Sequence, residues 1–597
     1  MRIDKVEPPY WYKGEECLFR NLQILVYGED LKDVDVRTEL PCNNLRISEG
    51  VDSHYLLIYF DIDVEQVHPK RYTFSVHKNK EILYFDYEIR EKRLRMSGVE
   101  TITPQDVVYL IMPDRFAQSI QQNMNPSIDV DRANPNGWHG GNINGITEHL
   151  DYLSDLGIST LWLTPVVENR RADIIEKGNK YASYHGYAAT DYYQIDKHFG
   201  NIEDLQNLVS EAHRCNLKVV MDIVLNHCGS NHVWMKHPPM NDWFNELDYS
   251  KAKKTNYCLT TVVDPYRSET DVADTVEGWF TKDMPDLNIE NKDVFQYLTQ
   301  MAVWWIETAQ IDAIRVDTYP YVNLHKMKKW QESIHAVYPN LSVIAEAWVS
   351  EPAFTGEIQK RNSDDDNILI VMDFAFQKHI EEMLLGKNRK EASYILYNHF
   401  VYDYLYKDAS KALAFLDNHD LWRWAYRCND LQKTKQAIGI LLTVPRIPQL
   451  LYGTELLFRG DGGKTDGSFR QDFPGGWETD KMNKFVSEGR ISYEKEMFDF
   501  TKKLLKWRKD SKAITKGRMK HFIPQDGVYV YFRSFDKEKV MIIVNCLNMP
   551  RKLKLKRFSE EVGFYHNAIS VLTGMPYSLD VEYWSIKKEE ILIFNLM

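Results

Sequence analysis

Between residues 105 and 511, short apolar runs alternate with amphipathic stretches. The runs at 107–111, 160–163, 219–225, 311–316, 341–345, 368–371, 412–416 and 448–452 are four to seven residues long and mostly Val, Ile and Leu. Runs of that length bounded by polar residues read as strands buried on both faces. Between them, apolar residues fall at helical spacing, as at Ile146, Leu150, Leu153 and Leu156. Helices are expected at 146–156, 205–215, 294–308, 325–337, 378–397, 432–442 and 495–508. Eight strands alternating with roughly eight helices predict a parallel sheet closed as a (β/α)₈ barrel.

The flanking pattern is different. In residues 1–104, short runs at 21–27, 55–60 and 71–76 are β-branched or aromatic and separated by polar turns. They predict an N-terminal β-sandwich. Such a block can be a structural cap, a dimer-forming module or a carbohydrate-binding module. Residues 512–597 return to β, with runs at 528–533, 540–545 and 591–595 that predict a C-terminal β-sandwich. Residues 228–285 interrupt the barrel without clear periodicity and are rich in Trp, Tyr, Asp and Pro. A stretch this long reads as an inserted subdomain rather than a loop. Its Trp234, Trp243 and Trp279 are candidate wall residues over a cleft, although core packing is the commoner use of Trp.

Charge narrows the partners. The net charge is −12 with both signs spread along the chain, which disfavours nucleic acid and anionic membrane surfaces. The seven Cys are scattered and form no C-x-x-C pair, so neither a disulfide framework nor a zinc site is indicated. No apolar run is long enough to span a membrane. The N-terminus lacks the apolar core of a signal peptide. The expectation is a cytoplasmic protein as written, or a periplasmic one if this is a trimmed mature chain.

Four of the expected strands end in reactive side chains: Asp222-Ile-Val-Leu-Asn226-His227, Ile314-Arg315-Val316-Asp317, Ile344-Ala345-Glu346-Ala347-Trp348 and Phe415-Leu416-Asp417-Asn418-His419-Asp420. The C-terminal ends of the strands are where a (β/α)₈ barrel carries its active site. Arg315 and Asp317, two apart on a strand, face the same side, so the cation would keep the carboxylate ionised. Glu346 stands between two alanines, a setting suited to a raised pKa. Asp420 is the third carboxylate, beside His419, and His227 is placed to donate to a hydroxyl. One ionised and one protonated carboxyl group are what splitting a glycosidic bond requires. A single Asp or His at a strand end often caps a helix; four such motifs in order are not explained that way.

These residues resemble the α-amylase family, glycoside hydrolase family 13, across nearly the whole chain. The resemblance implies Asp317 as nucleophile, Glu346 as general acid/base and Asp420 as transition-state stabiliser, with Arg315, His227, His419 and Tyr187 lining subsite −1. Tyr187 lies in Ala182-Ser-Tyr-His-Gly-Tyr187, similar to the family's sugar-stacking segment. Met284-Pro-Asp-Leu-Asn288 resembles the segment of neopullulanases, cyclomaltodextrinases and maltogenic amylases, and Arg315-Val-Asp317-Thr-Tyr-Pro-Tyr and the opening Val6-Glu7-Pro8-Pro9 resemble neopullulanase-type starch-utilisation enzymes of gut Bacteroidetes. Trp348 is similar to the +1/+2 aromatic, and Asp466 and Arg470 to a pair that grips the sugar near −2. The substrate implied is an α-glucan, cut with retention, as short or cyclic maltooligosaccharide, pullulan or starch fragment. A glucan transferase or branching enzyme shares these motifs, and an inactive glucan-binding protein on the same fold is a further alternative. A homodimer through the N-terminal domain is implied for such relatives. The resemblance also implies structural calcium. Asn226 matches one ligand position, but Tyr321 stands where a His is expected. Asn123, Asn125, Asp129, Gly140 and Asn142 fit a second calcium site, with one carboxylate among neutral groups. No organic cofactor is expected.

Overall fold

The eight apolar runs are strands: Val108–Ile111, Thr160–Leu163, Lys218–Val224, Ala313–Asp317, Ser342–Ala345, Ile370–Met372, Ala412–Phe415 and Ile447–Leu451. They close into a barrel in chain order, with the last strand pairing with the first. The pairing is parallel, with Gln449 opposite Val108 and Asp222 opposite Arg315. Nearly every residue of these strands is buried, which is why the runs are apolar without alternation. The computed structural model describes residues 1–93, 102–119, 129–170, 173–176, 178–387 and 389–597.

The chain forms two compact units: Met1–Thr101 with Pro165–Val209 and Val220–Glu346, and Ile102–Thr164 with Ser210–Val219 and Ala347–Met597. In the first, the N-terminal residues build two four-stranded sheets. One has the order Arg2–Glu7, Asn21–Glu29, Tyr55–Ile62, Cys42–Glu49; the other Tyr10–Lys13, Glu81–Glu91, Lys70–Lys78, Asp35–Thr38. Phe60 of one sheet meets Phe74 of the other at 5.8 Å.

The strand Asn21–Glu29 is buried on both faces over most of its length because a helix covers it. That helix, Lys292–Ala309, is buried nearly all round, as an element enclosed on every side must be. The Gln300 side chain accepts from Gln23 N (2.9 Å) and donates to Gln23 O (2.8 Å). Tyr10 and Tyr12 share the Thr308 hydroxyl, and Tyr10 packs on Trp304 at 5.2 Å. Deleting residues 1–93 would expose Trp304, Tyr297 and the amide of Gln300 together. The expected result is a protein that melts at markedly lower temperature or aggregates, although it keeps every strand-end carboxylate. Calorimetry of the truncated and full chains checks this, and equal melting temperatures would contradict it.

In the second unit, six strands form the C-terminal sheet, in the order Arg518–Gln525, Val528–Phe535, Glu538–Asn545, Ile591–Leu596, Asn567–Ser570, Pro576–Ser578. The pair Arg551–Lys554 and Tyr583–Ile586 forms a separate small sheet, and Phe532, Met541, Phe558, Trp584 and Phe594 share one core between them. Arg533 ties the sheet to the preceding chain by donating to the carbonyls of Thr443, Ile514 and Gly517.

Two helix expectations are corrected. The helix expected at 146–156 is two, Ile143–Thr147 and Leu150–Leu156. The His149 ring takes the Gly145 carbonyl (2.8 Å) that a continuing helix would offer to a backbone N–H. The helix expected at 378–397 is also two, Phe374–Leu385 and Arg389–Val401. It breaks at Gly386, whose backbone is extended, a residue with little helical preference. Trp234, Trp243 and Trp279 are buried; Trp234 and Trp243 pack on Tyr297. They are core, not cleft wall. The insertion also carries one α-helix, Glu269–Val276, capped by Ser268, and two short 3-10 turns, Val233–Met235 and Leu259–Val262.

Candidate active site

The fourth barrel strand places Arg315 and Asp317 on one face. Arg315 is fully buried. Its Nη1 donates to Asp222 Oδ1 (2.9 Å) and Oδ2 (3.0 Å) and to Asp317 Oδ1 (2.7 Å). Its Nη2 lies 3.0 Å from Glu346 Oε2. Asp222 comes from the third strand, in register with Arg315, and Glu346 follows the fifth, Ser342–Ala345. Three carboxylates thus converge on one guanidinium. Burial works against the cation, but Asp222, Glu346, Tyr187 and Asp317 hold its pKa well above the ordinary arginine value.

Thr318, directly after Asp317, has a left-handed backbone with φ 47°. A β-branched residue rarely adopts it. Strain of this kind persists only where the surroundings hold it. Here the turn Tyr319–Tyr321 and the bond from Tyr319 N to Glu346 O (3.1 Å) do so. The result is that Thr318 N donates to Glu346 Oε2 at 2.8 Å.

Tyr187 O–H donates to Asp222 Oδ2 (2.9 Å), and its ring centre is 5.7 Å from the Arg315 guanidinium. His227 Nε2 donates to the Tyr187 carbonyl (3.0 Å), while Nδ1 accepts from Asn226 Nδ2 (3.3 Å). The carbonyl fixes the tautomer, because only a protonated Nε2 can bond it. His227 therefore positions Tyr187, with both ring nitrogens engaged inside the protein. The sequence expectation had it donating to a hydroxyl. Burial pushes its pKa down to about 4, so the ring is neutral above that pH. His227→Asn should lower kcat/KM roughly tenfold, about 1.4 kcal/mol, by loosening Tyr187. It should leave the acid limb of the pH–rate profile where it was. A limb displaced by the substitution would show that His227 titrates in the working range.

An aromatic cluster adjoins this group. Phe280 stacks on His227 at 5.6 Å and meets Tyr321 edge-on at 5.1 Å. Tyr257, over half exposed, packs on both.

The second unit carries its own constellation. Asp420 and His419 follow the seventh strand, Ala412–Phe415. Arg470 Nη2 lies 2.9 Å from Asp420 Oδ1 and 3.3 Å from Asp466 Oδ2, and Arg470 Nε donates to the His419 carbonyl (2.6 Å). His419 Nε2 is 3.1 Å from Asp420 Oδ2, and its ring meets Trp162 edge-on at 6.0 Å. Arg470 is buried and Asp466 exposed, so Arg470 orients Asp420 as well as reaching Asp466. Trp348 is 47% exposed and lies flat on Phe374 at 5.1 Å.

Two residues carry more than the sequence reading gave them. Asp222 was quoted only as the start of a motif, yet it anchors Arg315. Its signal was a lone carboxylate within an otherwise apolar strand. Thr318 had no signal, because backbone strain leaves none in a single sequence.

Of the residues matched to calcium, Asn123 and Asn125 lie outside the described residues. Asn142 Oδ1 caps the helix Ile143–Thr147 by accepting from Gly145 N (2.8 Å) and also accepts from Ser119 N (3.2 Å), which uses both its lone pairs. The Gly140 carbonyl accepts from Gln118 Nε2 (3.2 Å), and Asp129 is exposed. At the other position Tyr321 offers a ring packed on Phe280. Calcium prefers six to eight oxygens. Asn142 Oδ1 and the Gly140 carbonyl already accept bonds within the protein.

A closed parallel barrel with functional side chains at its strand ends is an enzyme scaffold that serves many reactions, and paired carboxyl groups there suit a glycoside hydrolase. The chain belongs to the α-amylase family: the profile for the alpha amylase catalytic domain matches residues 110–529. Profiles for the cyclomaltodextrinase N-terminal domain and the cyclo-malto-dextrinase C-terminal domain match residues 5–93 and 519–595. The chain is 27% identical over 458 residues to a cyclomaltodextrinase of Thermoanaerobacter pseudethanolicus, covering 74% of this chain and 70% of that one. It is 27% identical over 494 residues to an intracellular maltogenic amylase of Bacillus subtilis, covering 78% and 75%. Among solved structures, an α-amylase of Geobacillus thermoleovorans complexed with acarbose superposes with a TM-score of 0.67 at 26% identity, over 83% of this chain and 99% of that one. Among the described residues no helix is long and apolar enough to cross a membrane.

Proposed function

We propose that this enzyme hydrolyses internal α-1,4-glucosidic bonds of short and cyclic maltooligosaccharides, pullulan and starch fragments, with retention at the anomeric carbon. The observation that carries the reading is the placement of Asp317 and Glu346 on one buried guanidinium. A retaining enzyme needs its two carboxyl groups only ~5–5.5 Å apart, and two groups sharing Arg315 suit that spacing. Asp317 attacks the anomeric carbon as Glu346 gives its proton to the leaving oxygen. Glu346 then takes a proton from water, which attacks the glycosyl ester and frees Asp317. Asp420, oriented by Arg470 and His419, is the proposed stabiliser of the charged transition state. Tyr187 is the proposed sugar platform, with Trp348 and Asp466 as outer contacts.

Preference for short and cyclic chains is supported by the cyclomaltodextrinase-type terminal domains and by the aromatic cluster of Tyr257, Phe280 and Tyr321. Phe280 of that cluster stacks on His227, whose ring bonds the Tyr187 carbonyl beside Arg315. The test is kcat/KM on cyclodextrin, pullulan and long amylose, with products separated by chromatography. A clear preference for long amylose would defeat the substrate reading. Products longer than the substrate would favour a transferase. NMR of fresh product should show the α-anomer first. A homodimer through the N-terminal domain would use the surface not spent on the helix Lys292–Ala309, and light scattering of the full chain decides it.

A further inference from the structure

The loop between the strands Cys42–Glu49 and Tyr55–Ile62 carries Asp52 and His54, and the inserted segment brings His237 against them. All three belong to the first compact unit. His237 Nδ1 is 2.7 Å from Asp52 Oδ2, and His54 Nδ1 is 3.1 Å from Asp52 Oδ1. One ligand atom from each residue lies within 4.8 Å of the others. The two imidazoles lie face to face, with centroids 3.7 Å apart and planes 29° apart. Asp52 is held in place by the His54 backbone N–H, which donates to Oδ1 at 2.9 Å. His54 Nδ1 is buried, and its approach to Asp52 lacks hydrogen-bond geometry. Partial burial opposes ionisation of Asp52, but the bonds from His237 and His54 hold its pKa below the usual range. The side chains remain 37%, 29% and 28% exposed for Asp52, His54 and His237, so an ion can reach them.

We infer that Asp52, His54 and His237 form a binding site for a divalent transition metal, best suited to Zn²⁺. Two imidazoles and a carboxylate match the nitrogen and oxygen ligands that Zn²⁺ takes at about 2.0–2.2 Å, with water completing a tetrahedron. Binding requires the two stacked rings to turn until both Nδ1 atoms face one ion. Ca²⁺ is disfavoured, because it wants six to eight oxygens and this cluster offers one carboxylate. Coordination through the Nδ1 atoms leaves each ring neutral with its proton on Nε2. None of the three residues takes part in the proposed hydrolysis. The site joins the N-terminal β-domain to the inserted segment, where the two already approach closely. A Cβ at Gly50, beside the loop, would lie 3.2 Å from the Pro239 carbonyl. A metal here is a staple between domain and insertion.

The test uses the full chain, stripped with chelator and titrated with Zn²⁺ by calorimetry. About one equivalent should bind with micromolar or tighter affinity, and the melting temperature should rise with Zn²⁺ but not with Ca²⁺ or Mg²⁺. At a free concentration ~100 times Kd, the folded-to-unfolded ratio rises about 100-fold. Asp52→Asn and His237→Gln should each weaken binding at least tenfold, with basal hydrolysis unchanged. Co²⁺ bound to the wild type should show the visible absorption of a tetrahedral nitrogen–oxygen site, a readout that needs no variant. Lack of binding by the wild type at ~100 μM Zn²⁺, or an equivalent retained in both variants, overturns the inference.

Discussion

Asp317→Asn is expected to lower kcat on a maltooligosaccharide by on the order of 10⁴-fold or more, a barrier increase of ~5.5 kcal/mol. The amide keeps the shape of the carboxyl group but cannot form the glycosyl ester. The fold should be little affected. Arg315 keeps Asp222 through two bonds of 2.9 and 3.0 Å and keeps Glu346 at 3.0 Å. Removing one of three acids from a single cation does not leave it unpaired. Steady-state rates beside melting curves of wild type and variant test both halves. Activity within about tenfold of wild type would sink the assignment of Asp317. Unfolding of the variant would show that its carboxylate holds the barrel together.

The barrel was legible because its strands are buried on both faces. Runs such as 412–416 then stand out as unbroken apolar segments, and the observed strand is Ala412–Phe415. The N-terminal sheets were harder to read. Three runs were expected where eight strands form, since Cys42–Glu49 is largely polar and has no buried residue. Its strand character comes from pairing with Tyr55–Ile62, a long-range effect that a local pattern does not carry. The strand-end carboxylates were visible as charges closing apolar runs. What each touches was not. Nothing in the sequence says that His227 spends its Nε2 proton on a carbonyl 40 residues upstream, or that Arg470 reaches back 50 residues to Asp420. The metal-ligand cluster was equally hidden, because Asp52 and His237 are 185 residues apart and meet only when the insertion folds onto the β-domain.

Arg315→Met is expected to unsettle the protein more than any change to a single acid. The substitution keeps an unbranched side chain but removes the cation that Asp222, Asp317 and Glu346 share. The Asp222 side chain has no solvent exposure, so its charge has little water to fall back on. Breaking a buried pair by removing one partner costs about 3–5 kcal/mol, and here three carboxylates lose their partner together. A buried carboxylate without a partner favours its protonated form. A group of that kind contributes stability fully present below its unfolded pKa and lost as pH rises through its folded pKa. Arg315→Met should therefore lose stability, relative to wild type, as pH rises from acid to neutral. Its deficit should be small in acid and largest near neutrality. Adding Asp222→Asn to Arg315→Met should recover part of the loss, because one fewer buried charge needs a partner. In the wild-type background Asp222→Asn should be destabilising, since it removes the charge that faces Arg315 and one of its two acceptor oxygens. This reversal of sign is the decisive measurement. Melting temperatures of the four proteins across that pH range supply it, and equal effects of Asp222→Asn in both backgrounds would show that Asp222 is not held there by Arg315.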